Sequence, residues 1–225
     1  VVMLSKASDI SKHKMTQNAI DTCIRNASYK NVNVIVIEQT YATFKHAKTI
    51  NVQEEFNYNK FCNIGARATK SDYIVFANND LIFYSNWLRE LIKTKKDCVS
   101  PLDKSSKKQK DVKQNQCGYE NGHDFSGWCF MLSRKAYDKI DGLDEDFKFW
   151  CADDSVIEQL RQVGIKPMLC CKSKVLHIKH GSSNIISDDL TWGMLNKFER
   201  KYNVEKQDFK YDKRYIAWKR RNGIR

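Results

Sequence analysis

The sequence of 225 residues lacks several features that would assign it to a class at once. No apolar stretch approaches the ~20 residues that a membrane-spanning helix needs, and the start shows no signal-peptide pattern. The eight cysteines form no C-x-x-C pair, which argues against a zinc site. We therefore expect a cytoplasmic protein with reduced thiols that does not cross a membrane by itself.

Charge is the most unusual property of the composition. The formal net charge is +12, and much of the excess lies in the basic segments 104–113 and 213–225. Such an excess favours a polyanionic partner, either nucleic acid or the surface of an anionic membrane, although lysine runs are also common in solvated loops. The abundance of lysine, asparagine and isoleucine suggests an AT-rich genome, such as that of a virus or a bacterium.

Apolar strands and amphipathic helices alternate along the first eighty residues. The pattern predicts strands at 1–5, 32–39 and 73–80, with helices at 8–27 and 54–71 between them. This order favours an α/β fold with a mostly parallel central sheet flanked by helices.

The rest of the chain continues the alternation less regularly. It predicts helices at 86–96, 153–164 and 189–203, strands at 97–102 and 166–178, and a mobile surface loop of about fifteen residues after 102. The chain contains neither internal repeats nor a clear linker. We expect one domain over 1–185, with a helical, basic C-terminal extension over 186–225 packed on it.

Three polar clusters stand at the ends of apolar elements, and each has a structural explanation as well as a functional one. Asn78, Asn79 and Asp80 interrupt an apolar run, as turn residues do, but the carboxyl end of a strand is also where open α/β sheets gather ligand groups. The pair Asp153-Asp154 can cap a helix. The third cluster is a pair of histidines, 177 and 180, after a strand.

The order of these clusters resembles that in the family 2 glycosyltransferases of the Rossmann-like GT-A fold, over about residues 1–185. The segments that carry the resemblance are VVMLS (1–5), VIVIEQ (34–39), NIGARA (63–68), FANND (76–80), FSGWCFMLSR (125–134), IDGLDEDF (140–147), ADDSVIEQLRQVG (152–164) and VLHIKHGSS (175–183). Three departures are Glu38 where aspartate is usual, a metal motif with one carboxylate, and Asp-Asp where Glu-Asp is usual.

The resemblance implies metal-dependent transfer of a sugar from a nucleotide-diphosphate sugar to an acceptor hydroxyl. Asp80 is then the ligand of Mn²⁺ or Mg²⁺, with His177 or His180 completing the shell; a mixed imidazole and oxygen set suits manganese. Asp154 matches the catalytic base, with Asp153 as the other member of the pair. Direct displacement assisted by a carboxylate base inverts the anomeric centre, so we expect inversion.

The resemblance also implies the residues around the substrates. The expected donor contacts are Ser5, Lys6, Glu38, Lys60, Asn63, Arg67, Asn78 and Asn79, with a UDP-sugar as the favoured donor. Ser126, Gly127 and Trp128 are expected to line the sugar and acceptor pocket. Structural alternatives stay open: Asn63 can bond a neighbouring loop, Arg67 can lie on a solvated helix face, and Trp128 can be core.

Two other functions fit the same sequence. In the first, the enzyme glycosylates modified DNA bases, because the basic segments can follow a phosphate backbone. In the second, the chain is a non-catalytic, basic nucleic-acid-binding module. The expected acceptor otherwise is a glycan, glycolipid or glycoprotein, and the sequence does not indicate an oligomeric state.

Overall fold

The computed structural model describes residues 1–178, 188–206 and 209–224, and the side chains of 188 and 189 are not among the described parts. The strands are β1 (Val2–Ser5), β2 (Ile35–Glu38), β3 (Lys48–Asn51), β4 (Tyr73–Asn78), β5 (Leu81–Phe83), β6 (Cys98–Asp103), β7 (Gln116–Cys117), β8 (Cys129–Ser133) and β9 (Met168–His177). The helices are α1 (Ile10–Asn26), α2 (Tyr58–Arg67), α3 (Trp87–Lys93), α4 (Arg134–Lys139), α5 (Ala152–Gln162), α6 (Asp188–Tyr202) and α7 (Lys213–Arg221).

The nine strands form one sheet, in the order β3-β2-β1-β4-β8-β6-β9-β5, with β7 paired to β9. The four strands β3, β2, β1 and β4 are parallel, and the alternation of strands and helices predicts this arrangement for β1, β2 and β4. Beyond them the sheet is mixed, because β8 is antiparallel to both of its neighbours. The predicted α/β class with a central sheet between helices is confirmed.

Helices cover both faces of the parallel half. Alternate residues of β1 show this arrangement: Met3 packs in the same cluster as Ile20 of α1, and Val2 packs on the other face with Phe61 of α2. Gly65 explains how closely α2 approaches the sheet. A Cβ atom at Gly65 would lie 2.4 Å from a methyl group of Val2, so only glycine fits at this contact.

The helices α6 and α7 pack against the segment that precedes α5. Their apolar side chains share a core cluster with Phe147, Cys151 and Ala152. Lys201 adds ion pairs to Asp144 at 2.7 Å and to Asp146 at 2.8 Å. The boundary between a domain over 1–185 and an extension stays a prediction.

The structure corrects three details of the prediction. The helix expected over 54–71 begins only at Tyr58, because the side chain of Asn57 caps it by accepting from the backbone N–H of Lys60 at 3.0 Å. The strands β3, β5 and β7 were not predicted. The segment after β6 is a surface loop only in part, since Ser106 and Gln109 in it are buried.

Two sequence-based expectations about chemistry can also be compared with the structure. All eight cysteines are unpaired, as predicted. Among the described residues, no helix is long and apolar enough to cross a membrane.

Candidate active site

The carboxyl ends of the parallel strands bring several predicted site residues to one edge of the sheet. Ser5 at the end of β1 is in register with Glu38 at the end of β2, and its neighbour Leu4 is in register with Asn78 of β4. In an open α/β sheet this edge forms the ligand crevice. Asn79 and Asp80 follow directly, in the turn between β4 and β5.

Asp80 and His177 meet at this edge because β5 and β9 are antiparallel neighbours, with Leu81 opposite His177. The Nε2 atom of His177 lies 3.2 Å from Oδ1 of Asp80, and both side chains are largely buried. The two atoms are close but are not aligned as a hydrogen bond, so Oδ1 of Asp80 has no hydrogen-bond partner. Nδ1 of His177 is also buried without a partner.

This pair fits a divalent cation. Two ligand atoms about 2.1 Å from an ion and at right angles to each other are about 3 Å apart, close to the observed separation. A carboxylate oxygen and an imidazole nitrogen suit Mn²⁺. Among the described residues, no cluster of three or more His, Cys, Asp or Glu side chains could hold a metal ion. His180, the alternative ligand, lies outside the described residues.

Residues predicted to line the sugar and acceptor pocket lie between the Asp80–His177 pair and the carboxylates of α5. The ring of Trp128 stacks on His177, with centroids 5.6 Å apart and planes 17° from parallel. The indole N–H of Trp128 is buried without a partner. Its neighbour Gly127 lies against Asp153, since a Cβ atom there would be 2.1 Å from Oδ2 of Asp153. Glycine at 127 therefore makes room for the carboxylate.

Asp153 and Asp154 occupy the first turn of α5, and their environments differ. Oδ1 of Asp154 accepts from Nδ2 of Asn121 at 3.0 Å and forms an ion pair with Nζ of Lys206 at 2.7 Å. Burial, together with the adjacent charge of Asp154, raises the pKa of Asp153 to about 6. A carboxylate with such a pKa can accept a proton near neutral pH.

Glu38 is fully buried at the end of β2. Its Oε1 accepts from the backbone N–H groups of Ala7 at 3.0 Å and Thr40 at 2.7 Å, which fixes the loops after two strands. Its Oε2 has no partner. One oxygen of this carboxylate therefore has a structural role, and the other is left to accept a hydrogen bond.

Two of the predicted donor-binding residues, Ser5 and Asn79, take part in a group of hydrogen bonds centred on Thr16 of α1. The hydroxyl of Thr16 lies 3.1 Å from the hydroxyl of Ser5 and accepts from the amide of Asn79 at 2.9 Å. The backbone N–H of Asn78 donates to the carbonyl of Trp128 at 2.9 Å. These contacts hold the strand ends in place.

The residues of α2 that were predicted to touch the donor make contacts within the protein. Asn63 uses both ends of its amide: Nδ2 donates to the carbonyl of Leu143, and Oδ1 accepts from the backbone of Leu143 and the hydroxyl of Tyr137. Lys60 pairs with Glu54. Arg67 lies 3.6 Å from Glu145 and is mostly exposed, and Lys6 is exposed. These contacts favour a structural role for Asn63, and donor binding by the others stays a prediction.

Four residues near the site had no signal in the sequence. Gln109 is fully buried, where Nε2 donates to Oγ of Ser126 at 2.9 Å and Oε1 accepts from the backbone of Asp103 at 2.8 Å. Asp103, also buried, accepts from the backbone N–H of His177 at 3.2 Å. Asn121 and Lys206 contact Asp154, as described above. All four act across long sequence separations, which neither periodicity nor motif spacing reveals.

Buried polar atoms without a partner are concentrated in this site. Among the described residues there are six such side-chain atoms, and four belong to predicted site residues: Glu38, Asp80, Trp128 and His177. Folded proteins satisfy most buried polar groups, so each exception needs an explanation. A cluster of exceptions at the ligand edge of a sheet is typical of a binding site.

Neither a family model nor a curated protein sequence matches the chain. Its structure is similar to a crystal structure of GalNAc-T7 with UDP, GalNAc and Mn²⁺, with a TM-score of 0.64 and 13% sequence identity. The match covers 98% of this chain and 56% of the GalNAc-T7 chain, so this chain spans little more than half of that protein's length. The chain has the GT-A fold. At this identity the similarity shows the fold and does not extend to membership of family 2.

Proposed function

We propose that this GT-A chain is a metal-dependent glycosyltransferase, which moves a sugar from a nucleotide-diphosphate sugar to an acceptor hydroxyl. The observation that supports it most is the set of unpartnered buried atoms on Glu38, Asp80, Trp128 and His177. They lie at the ligand edge of the sheet, and one of them, Oδ1 of Asp80, is 3.2 Å from Nε2 of His177, a spacing suited to one cation.

Asp80 and His177 would hold the metal ion. When bound, a hard divalent cation neutralises the charge of the leaving diphosphate. The protein would fix the two ligands from both sides: β5 and β9 pair through Leu81 and His177, and Trp128 stacks on the imidazole ring. The crystal structure of GalNAc-T7 with UDP, GalNAc and Mn²⁺ supports the choice of manganese.

Glu38 would bind the nucleobase. Its free Oε2 can only accept a hydrogen bond when the carboxylate is ionised, so it needs a base that presents an N–H donor, such as the ring N–H of uracil. The ring N–H of guanine and the amino groups of cytosine and adenine can donate to the same oxygen. The choice of a UDP-sugar as donor therefore rests on the UDP in the GalNAc-T7 structure.

The carboxylates of α5 would supply the base that takes the proton of the acceptor hydroxyl. The resemblance selects Asp154, while the environment of Asp153, with its pKa raised to about 6, also suits a base. A single displacement of this kind forms the new glycosidic bond as the bond to the diphosphate breaks, and it inverts the anomeric carbon. NMR of the product anomer would test the inversion.

The first experiment is to incubate the chain with a panel of nucleotide sugars and Mn²⁺, and to measure release of the nucleoside diphosphate. We expect slow hydrolysis of one UDP-sugar, stopped by a chelator and by Asp80→Ala. A matched control is Asp111→Ala, because Asp111 is highly exposed and makes only a 4.0 Å contact with Lys110. Absence of hydrolysis, combined with absence of calorimetric binding of every donor, would contradict the proposal.

A further inference from the structure

The contact between Lys206 and Asp154 joins the C-terminal helical region to the predicted base. Nζ of Lys206 lies 2.7 Å from Oδ1 of Asp154, and both side chains are mostly buried. Ion pairs of this kind are screened less by solvent than surface pairs. The remaining ion pairs between this region and the segment before α5, those of Lys197 and Lys201, are more exposed and involve Asp144 and Asp146.

The backbone of Lys206 is itself fixed. Its N–H donates to Oε1 of Glu199 at 3.1 Å, and the other carboxylate oxygen of Glu199 accepts from the hydroxyl of Tyr215 at 2.6 Å. The ammonium group also lies 6.0 Å from the ring centre of Phe198, at the outer limit of a cation–π contact. Lys206 therefore reaches Asp154 from a backbone position set by both α6 and α7.

The two carboxylates have different surroundings as a result. One oxygen of Asp154 accepts from the ammonium of Lys206 and the amide of Asn121. Asp153 lies against Gly127, next to the negative charge of Asp154. The other titratable groups that interact with one or both carboxylates are Tyr58 and Cys62 of α2, Cys151 and Lys206. Lys206 is the cation among these groups.

We propose that Lys206 is a positioning residue of the active site: it holds the carboxylate of Asp154 in one orientation and places a positive charge beside the pair, so that Asp153 takes the proton of the acceptor hydroxyl. The roles of the pair are then divided, with Asp154 bound to Lys206 and Asp153 as the proton acceptor. This inference rests on the proposed function and adds to it a requirement for a residue outside the motifs of 1–185.

The decisive measurement is an NMR titration of the full chain labelled with ¹³C at the aspartate Cγ atoms. Asp153→Asn and Asp154→Asn assign the two signals. In Lys206→Met we expect the midpoint of Asp153 to rise by about one pH unit, because the pair loses the positive charge of Lys206 and holds its proton more tightly. Lys206→Arg should keep the wild-type midpoint. An unchanged midpoint in Lys206→Met would overturn the inference.

A control variant separates this effect from general loosening of the C-terminal region. Lys197→Met removes a comparable ion pair, to Asp146 at 3.0 Å, in the same region. It should leave the titration of Asp153 unchanged. If Lys206→Met does not fold, Lys206→Gln keeps a hydrogen-bond donor without the charge and is expected to raise the midpoint as well.

Kinetics provide a second test. For hydrolysis of the donor with Mn²⁺, Lys206→Met should shift the acidic limb of the pH–rate profile to higher pH, with about a fivefold loss near pH 6, about a tenfold loss below pH 5 and little loss above pH 8. A loss of the same factor at every pH would assign Lys206 a merely structural role. If wild type neither hydrolyses nor binds any donor, the proposed function fails, and the NMR titration still decides the role of Lys206.

Discussion

Asp80 and Asp154 are both largely buried carboxylates at the ends of apolar elements, but they differ in their hydrogen-bond partners. Oδ1 of Asp80 has no hydrogen-bond partner, while Oδ1 of Asp154 has two partners from distant parts of the chain. Leaving a buried carboxylate oxygen unpaired costs free energy, which a bound ligand would recover. The comparison teaches that the protein itself satisfies the carboxylate of Asp154, whereas Oδ1 of Asp80 is left for a ligand, which under the proposed function would be the metal ion on the donor side.

The largest expected effect is that of Asp80→Asn, which tests the donor side directly. The amide keeps the shape of the side chain but removes the charge that a cation requires. We expect the affinity for Mn²⁺, measured by electron paramagnetic resonance, to fall by more than the 10–100-fold typical of outer-shell changes. Equal affinities in Asp80→Asn and wild type would place the metal site elsewhere.

The next effect, on the acceptor side, is that of Gly127→Ala. The new Cβ atom would lie 2.1 Å from Oδ2 and 2.3 Å from Cγ of Asp153, so the carboxylate must move. A displacement of about 1 Å in an active site can cost about 100-fold in rate, and we expect a loss of that order in turnover. The affinity for Mn²⁺ should stay unchanged, which distinguishes the two sides.

A matched control for this change is Gly193→Ala in α6, where the new Cβ atom would have its nearest neighbour 3.9 Å away, on Trp218. Alanine in a helix interior is favoured over glycine by about 0.5–1 kcal/mol. Thermal unfolding should therefore show a small gain in stability, with turnover at the wild-type level. A large loss of turnover in both variants would mean that the effect at Gly127 is not specific.

A third prediction distinguishes a structural role for Asn63 from donor binding. Asn63→Ala leaves buried partners at Leu143 and Tyr137 unsatisfied, which should lower the free energy of unfolding by about 2–3 kcal/mol. Denaturant titration would measure this loss. The KM for the donor should stay near wild type; a raised KM with unchanged stability would instead support direct donor contact.

The smallest effect expected is a gain in stability from Asp153→Asn. Because its pKa in the folded protein is raised to about 6, Asp153 holds a proton between about pH 4 and 6 that the unfolded chain releases. The free energy of unfolding therefore falls as pH rises through this window, and it falls no further from this cause above about pH 6. Asparagine removes the cost, so we expect a gain of about 1–2 kcal/mol at pH 7 that disappears near pH 4.

Unfolding curves at pH 4 and pH 7 would check this sign. Asp154→Asn is the contrasting variant, because it breaks the ion pair with Lys206 and should lower stability at pH 7. If Asp153→Asn destabilises the protein at both pH values, its carboxylate stabilises the fold and the raised pKa does not describe its environment.

The elements that the sequence predicts well are those with a strong local signal. The parallel strands β1, β2 and β4 are continuous apolar runs, and α1 and α5 combine helical spacing with recognisable ends. The edge strand β3 (KTIN) could not be found, because its residues are exposed or half-buried and show no apolar alternation. The strand β7 has two residues and is defined by its antiparallel pairing with β9, which the local sequence does not indicate.

The candidate site shows the same limit. Asp80 and His177 were predicted to meet, although 97 positions separate them, because the resemblance in motif order implies that an aspartate and a histidine at these motifs bind one metal ion. Gln109 and Lys206 were missed: one lies in a lysine-rich segment that looks solvated, and the other in a region without a motif. Local patterns show which residues could carry chemistry, whereas the residues that fix them depend on tertiary contacts.

The place of Lys206 in the sequence has a consequence for synthesis. Chains fold from the N-terminus as they emerge from the ribosome. The strands of the described sheet, with Asp80 and His177, lie before residue 178, whereas Lys206 emerges only afterwards. A growing chain can therefore bring Asp80 and His177 together before Lys206 reaches Asp154.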